Sequence, residues 1–141
     1  IPVMSNSGSG NQGIAATLPV VVYAEDNHNS EEELTRAYTQ PLDSYLHQTK
    51  LGTFISLCGC VVAATGSSCG ITYLMGGGYQ QVMYAVQNMI ATLTGMICDG
   101  AKPSCALKLT SGVSTAVMSA IMDGTESVTA VEGIIEENVN Q

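Results

Sequence analysis

Five cysteines carry the most reactive side chains of this 141-residue sequence, and two of them flank a short polar turn. Cys98 and Cys105 stand at the two ends of the phrase CDGAKPSC, which holds a lysine, an aspartate, a glycine and a proline. A thiolate is a ligand for zinc and for iron–sulfur clusters, whereas a buried thiol behaves as a small apolar group. Because Pro103 predicts a helix start, the helix dipole and Lys102 favour the thiolate at Cys105, about the third helical position. Metal binding and two core thiols remain the alternatives here, since two cysteines are not a site.

A third thiol is available in the triplet Cys58-Gly59-Cys60. On a helix, residues two apart point about 200° from each other, so one of the two cysteines can join a site while the other faces the core. Cys69 comes eleven residues after Cys58, about 16 Å along a helix axis, and is the least suitable ligand. Three thiolates suit either zinc or a [4Fe–4S] cluster with one iron that lacks a protein ligand.

The segment SNSGSGNQG, residues 5–13, contains only glycine and small or polar side chains. Such a run is typical of a flexible linker. It is also suited to an anion, because glycine lets the backbone approach a ligand and a following helix start offers free N–H groups. Taken alone, the composition favours the linker.

The elements that must position these residues are all helical by pattern. No segment alternates as a strand does, so the fold class is all-α: a compact bundle of five to six helices around a buried apolar hairpin, with the glycine-rich loop at its N-terminus. The expected helices are a short one from near Gly13, with Pro19 leaving its continuation open, and further helices over residues 31–47, 51–75, 79–96, 103–122 and 130–138. Ser30 is the expected N-cap of the second helix, with Glu31–Glu33 in its first turn.

Composition narrows the partners. The net charge is −8 with only four lysines and arginines, which argues against nucleic acid and against an anionic membrane surface. No run reaches the roughly 18 uninterrupted apolar residues of a membrane span. An odd number of cysteines without an export signal indicates reduced thiols and a cytoplasmic location. Residues 1–141 are expected to form one domain, and the start at Ile1, inside an apolar phrase, predicts a piece of a longer protein.

Three phrases, MSNSGSGNQGI, LCGCVVAATGSSCGITYLMGG and TGMICDGAKPSCALKL, resemble the iron–sulfur L-serine dehydratase alpha-chain superfamily, most closely its L-cysteine desulfidase branch. The resemblance implies an all-helical catalytic domain in which three cysteines hold a [4Fe–4S] cluster. It also implies a lyase that eliminates the β-substituent of serine or cysteine. The products are pyruvate and ammonia, with sulfide from cysteine.

By this resemblance, Cys98 and Cys105 are two metal ligands and one of Cys58 and Cys60 is the third, with Cys58 slightly preferred. The resemblance also implies that the polar segment, residues 5–13, binds the substrate carboxylate. Its candidate residues are Ser7, Gly8, Ser9, Gly10, Asn11 and Gly13, with His47 and Lys50 as further substrate contacts or as solvated residues of a turn.

No residue of the sequence is a convincing base for the α-proton. The resemblance places a substantial N-terminal part of the family's chain outside these residues, so that part is an expected partner and the isolated piece is expected to be inactive. The other partner is a small amino acid; a homo-oligomer is left open. Two other functions stand beside the lyase: a structural zinc module, which needs a fourth ligand, and a non-catalytic regulatory module whose cysteines are only core.

Overall fold

A computed structural model describes residues 10–39, 58–98, 100 and 102–122. Across these ranges the chain is helical, without an extended strand, which confirms the all-α prediction. The helices are α1 (Gly10–Asp26), α2 (described over residues 31–39), α3 (Gly59–Leu74), α4 (Tyr79–Leu93) and α5 (Cys105–Met122). The predicted stretches at 40–57 and 130–138 lie outside the described residues.

Helix α1 starts three residues before Gly13 and continues through Pro19, seventeen residues in all. A proline has no N–H, so the carbonyl of Ala15, four residues earlier, has no intrahelical donor. The hydroxyl of Ser67 on α3 donates to that carbonyl at 2.8 Å and also lies 2.9 Å from the Ala16 carbonyl. The continuation of α1 past its proline therefore depends on a side chain of another helix.

Local signals explain the junction between α1 and α2. His28 adopts a positive φ of 56°, and the N–H groups of His28 and Asn29 donate to carbonyls of the last turn of α1. This geometry is the common helix stop with one left-handed residue. The predicted cap of α2 is confirmed, because the Ser30 N–H donates to the Glu33 carboxylate at 2.8 Å and the Glu33 N–H donates to the Ser30 hydroxyl at 3.2 Å.

The hairpin of α3 and α4 turns at three glycines, as predicted. Gly76 has φ of 89°, a conformation that glycine adopts without the penalty of a Cβ, and the Gly77 N–H donates to the Thr72 carbonyl at 3.0 Å. Helix α4 ends at Leu93, three residues before the predicted end. The chain then returns to the beginning of α3, where the Cys58 N–H donates to the Met96 carbonyl at 3.0 Å.

Helices α1 and α3 run in the same direction. Near their starts, a side-chain carbon at Gly59 would clash with the Gln12 side-chain amide. Near their middles, a side-chain carbon at Gly70 would lie 2.9 Å from a methyl of Val20. Glycine at both positions lets the two helices approach closely, and the matching order of the contacts makes the pair parallel.

Helices α3 and α5 are also parallel. A side-chain carbon at Gly112 would lie 3.2 Å from the Ala64 Cβ, and four residues later along both helices the Ser68 hydroxyl donates to the Ala116 carbonyl at 2.9 Å. The starts of α1, α3 and α5 therefore lie at one end of the bundle. Small side chains at these contacts keep the helices close, while α3 packs against α1, α4 and α5.

Helix α5 begins at Cys105, two residues later than Pro103, the predicted start. Pro103 and Ser104 instead form a turn in which the Cys105 N–H donates to the Lys102 carbonyl at 2.9 Å. Among the described residues, α5 is long and apolar enough to cross a membrane by length and composition, with a mean hydropathy of 1.3. The sequence analysis expected no membrane span because it considered only uninterrupted runs of apolar residues. Lys108 interrupts the apolar run in α5. One such helix is weak support for a membrane span, and α5 packs against α3 and α4.

Candidate metal–thiolate site

Four cysteines lie at the end of the bundle where α1, α3 and α5 begin. Cys58 occupies the N-cap position of α3 and is 4% exposed, packed among apolar side chains that include Met89 and Leu93. Cys60, in the first turn of α3, is half-buried. The pair therefore presents one enclosed and one accessible thiol at the start of the same helix.

The other two cysteines belong to the chain segment that joins α4 to α5, with Cys98 near the middle of the loop and Cys105 directly after it. Cys98 is exposed, and Cys105 is half-buried as the first residue of α5. The Cys105 thiol points back over its own loop and donates to the Gly100 carbonyl at 3.7 Å. The prediction that Cys105 is the third helical residue is therefore wrong by two positions, because the proline precedes the helix instead of opening it.

The Cys60 thiol interacts electrostatically with all three of these neighbours. Burial is the largest cause that raises the pKa of Cys60 above its ordinary value. Nearby thiols raise that pKa further, Cys58 most, followed by Cys105 and then Cys98. The structure thus brings together the four cysteines that the sequence analysis selected, and a bound cation is what would let several of them ionise together.

Cys69 lies apart from this group. It is 2% exposed on α3, eleven residues beyond Cys58 and hence about 16 Å along the helix. Its neighbour Gly70 faces Val20 of α1, in the interior of the bundle. Its surroundings are those of a core thiol.

The spacing of the donors distinguishes between kinds of metal site. Within the described ranges, no three cysteine, histidine, aspartate or glutamate side chains lie close enough together to hold a single ion. A tetrahedral zinc site needs its thiolates within about 2.3 Å of one atom. In a [4Fe–4S] cluster each cysteine binds a different iron, so the ligands stand farther apart.

The backbone at this end is electropositive. Each of α1, α3 and α5 begins here, and the first four N–H groups of a helix have no partner within it, so the three helix dipoles direct partial positive charge to the same place. Gly10–Gly13 belong to this feature, because they form the first turn of α1 instead of the predicted loop. Ser7, Gly8, Ser9, His47 and Lys50 lie outside the described residues, as does the side chain of Asn11.

Two further residues at this end are absent from the sequence-based selection. Gln12 extends from the first turn of α1 over Gly59, between the paired cysteines, and fills the space that a side chain at 59 would need. Lys108, on the first turns of α5, donates from Nζ to the Ile97 carbonyl at 3.0 Å. The glycine between two cysteines was the sequence signal that could have indicated the contact of Gln12 with Gly59. Nothing in the sequence indicates the hydrogen bond from Lys108 to Ile97.

A helical bundle that gathers thiols at convergent helix starts defines a protein with a candidate metal–thiolate centre. The sequence was compared with known protein families. The family model described as serine dehydratase alpha chain matches residues 1–141. The chain belongs to that family. The family resemblance found in the sequence is thereby confirmed, and no solved structure matches the chain.

Curated relatives share high identity along the chain. UPF0597 proteins of Phocaeicola vulgatus and Bacteroides fragilis are 71% and 70% identical to it, each over 100% of this chain and 33% of the relative. A UPF0597 protein of Oleidesulfovibrio alaskensis is 49% identical over 99% of this chain and 33% of the relative. The chain therefore spans about a third of the length of these relatives.

Proposed function

We propose that this chain is the helical, cluster-binding part of an iron–sulfur-dependent lyase that removes the β-substituent of L-cysteine or L-serine. The observation that carries the proposal is the gathering of Cys58, Cys60, Cys98 and Cys105 at the starts of three parallel helices. Membership of the serine dehydratase alpha chain family supports a related lyase role. The cytoplasmic location expected from the reduced thiols is part of the same proposal.

The proposed ligands are Cys98, Cys105 and one member of the α3 pair. Cys60 interacts with both Cys98 and Cys105, and it is more exposed than Cys58. Cys58 is enclosed by core side chains and tied by its N–H to the end of α4. Both cysteines of the pair lie at the start of α3, so both remain candidates for the third ligand, and the slight preference for Cys58 drawn from the resemblance is kept.

The substrate carboxylate is proposed to bind where α1 begins. The N–H groups of Gly10–Gly13 are those of a first helical turn and have no intrahelical partner, which suits an anion. Ser7, Ser9 and Asn11 are the proposed side-chain donors beside them, with His47 and Lys50 as further substrate contacts. Contact of Gln12 with Gly59 places this turn next to the thiols, so a carboxylate here would leave a short amino acid within reach of them.

A [4Fe–4S] cluster, when bound, supplies a Lewis-acidic iron without a protein ligand for the β-hydroxyl or β-thiol. The chain itself would hold the cluster through three thiolates and orient the substrate by its carboxylate. The α-proton base is proposed to come from the part of the longer protein outside these residues. Loss of the α-proton and the β-substituent gives aminoacrylate, which hydrolyses to pyruvate and ammonia.

The longer protein also has a proposed contact surface on this bundle. An apolar groove of about 440 Å³ runs between α1 and α5, and Leu18, Val22, Val113 and Val117 are among its lining residues. Leu18 and Val22 are 54% and 48% exposed, which is unusual for neighbouring large apolar side chains. We assign this groove to a segment of a longer protein outside these residues, since the curated relatives are about three times as long as this chain. Faster amide exchange of α1 in the 141-residue piece than in the full-length protein would support this assignment, and equal exchange would contradict it.

Anaerobic reconstitution of the full-length protein tests the lyase directly. Iron and acid-labile sulfide, a broad visible absorption, and pyruvate with ammonia from L-serine or L-cysteine are the expected results. Sulfide release distinguishes the cysteine reaction from the serine reaction. Stoichiometric zinc without iron would indicate the structural zinc module instead. The absence of bound metal would indicate the non-catalytic module, in which the cysteines bind no metal.

Single serine substitutions test the ligands. Cys98→Ser and Cys105→Ser should each abolish stable iron binding, as should one of Cys58→Ser and Cys60→Ser, while Cys69→Ser should retain it. Cys58→Ser should also lower stability, because its thiol is packed in the core. Full iron content in Cys98→Ser together with loss of iron in Cys69→Ser would overturn the assignment.

A further inference from the structure

Lys108 connects the two parts of the chain that carry Cys98 and Cys105. It lies three residues after Cys105 on α5, which places the two side chains on the same side of the helix. Its ammonium group donates to the carbonyl of Ile97, the residue directly before Cys98, at 3.0 Å. Lys108 therefore holds the loop strand bearing one thiol against the helix that bears the other.

Positive charge is scarce in this protein. The whole chain has four lysines and arginines against twelve aspartates and glutamates. Arg36 is on α2, where it forms an ion pair with Glu32, so it cannot serve the thiol end. Each thiolate that binds a metal adds one negative charge, and Lys108 is half-buried, so less water separates its charge from the site than at the exposed Lys102.

We propose that Lys108 is a positioning residue of the metal–thiolate site. Its hydrogen bond to Ile97 fixes Cys98 relative to Cys105, and its charge offsets that of the ionised thiols. The proposal rests on the part of the proposed function that concerns metal binding; it does not require lyase activity. Outer residues that orient metal ligands typically change metal affinity 10- to 100-fold, roughly, when they are replaced.

Three substitutions separate the two roles of this lysine in the full-length protein. Lys108→Met removes both the donor and the charge, Lys108→Gln keeps a donor without the charge, and Lys108→Arg keeps both. Arg36→Met is the control for the loss of one positive charge, because Arg36 is on α2 and forms an ion pair with Glu32 there. Each protein is reconstituted anaerobically with iron and sulfide, and circular dichroism establishes that it is folded.

The measurements are the rate of iron loss to a ferrous chelator, the absorption spectrum and the reduction potential of the bound cluster. Lys108→Met should lose iron at least about tenfold faster than wild type and show a more negative potential. Lys108→Gln should lose iron at an intermediate rate, and Lys108→Arg should restore most of the retention, while Arg36→Met should stay within about twofold of wild type.

Wild-type retention in Lys108→Met, or equal loss in Arg36→Met, would overturn the proposal. If Lys108→Met does not fold, the other two variants decide. Iron retention and a reduction potential equal to wild type in Lys108→Gln, together with faster iron loss in Lys108→Arg, would overturn the proposal. A wild-type protein that holds iron but converts neither amino acid would refute the lyase while leaving the lysine comparison decisive. A wild-type protein that takes up no iron would refute both.

Discussion

Ser67→Ala is expected to destabilise the bundle more than the neighbouring Ser68→Ala, although each substitution removes one buried hydroxyl. Both serines are fully buried on α3. The Ser67 hydroxyl donates to the Ala15 carbonyl, which Pro19 leaves without an intrahelical donor. The Ser68 hydroxyl donates to the Ala116 carbonyl in the middle of α5, where the helix supplies a donor of its own.

The expected costs follow from what each substitution leaves behind. An unpaired buried acceptor costs about 1–3 kcal/mol, and this is the situation of Ala15 in Ser67→Ala. A lost hydrogen bond whose acceptor keeps another donor costs about 0.5–1.5 kcal/mol, which applies to Ser68→Ala. The difference of roughly 1 kcal/mol corresponds to about 2–4 °C in Tm for a domain near this size.

Urea unfolding of both variants, in wild type and in a Pro19→Ala background, measures the coupling. Pro19→Ala restores the N–H that the Ala15 carbonyl lacks, so Ser67→Ala should then cost no more than Ser68→Ala. The expected coupling energy between residues 19 and 67 is therefore about 1 kcal/mol. An equal cost of Ser67→Ala in the two backgrounds would refute the explanation of how α1 accommodates its proline.

Three further predictions concern a close contact, a cap and a turn. Gly59→Ala should be neutral or slightly destabilising in wild type, where the new methyl meets the Gln12 amide. In a Gln12→Ala variant the same substitution should raise the free energy of unfolding in urea by up to about 1 kcal/mol. A change of the same sign in both proteins would contradict the contact. Hydrogen bonds from Ser30 lower the pKa of Glu33 in the folded protein. The stabilisation by the Glu33 carboxylate is therefore present above the pKa of the unfolded state and disappears as the pH falls through the pKa of the folded state. In acid titrations, Glu33→Gln should lose less stability than wild type between about pH 5 and 3. Gly76→Ala should lower the unfolding free energy by roughly 1–2 kcal/mol through its left-handed backbone alone, since no atom lies within 4 Å of the new methyl; an unchanged Tm would refute this.

Helix class and several helix ends were predictable because their causes are local. The predicted start of α3 at residue 51 was wrong, because Cys58 is an extended N-cap and the helix begins at Gly59. The Ser30 cap and the stop at Gly76 involve hydrogen bonds between residues three to five apart. The course of α1 past Pro19 was not predictable, because the donor that replaces the missing bond is on α3, 52 residues away. The start of α5 was misplaced by two residues because a proline followed by a serine is compatible with either a helix start or the turn before one.

The kinds of residue at the site were predictable from their chemistry, and their neighbourhood was not. Cysteine type and spacing made Cys58, Cys60, Cys98 and Cys105 candidates, and the family resemblance selected them as ligands, yet only the parallel packing of α3 and α5 explains why they lie at one end of the bundle. The preference between Cys58 and Cys60 rested on the resemblance alone. The electrostatic contacts of Cys60 arise between segments about 40 residues apart, beyond any helical periodicity.

The parallel directions of α1, α3 and α5 determine when during synthesis the thiols can meet. Parallel helices cannot form a hairpin, so a returning segment has to separate α3 from α5, and α4 is that segment. Until α4 has returned and α5 has docked, Cys58 and Cys60 have no counterpart from the loop that follows α4. The cysteine-rich end is therefore complete only once α5 has docked.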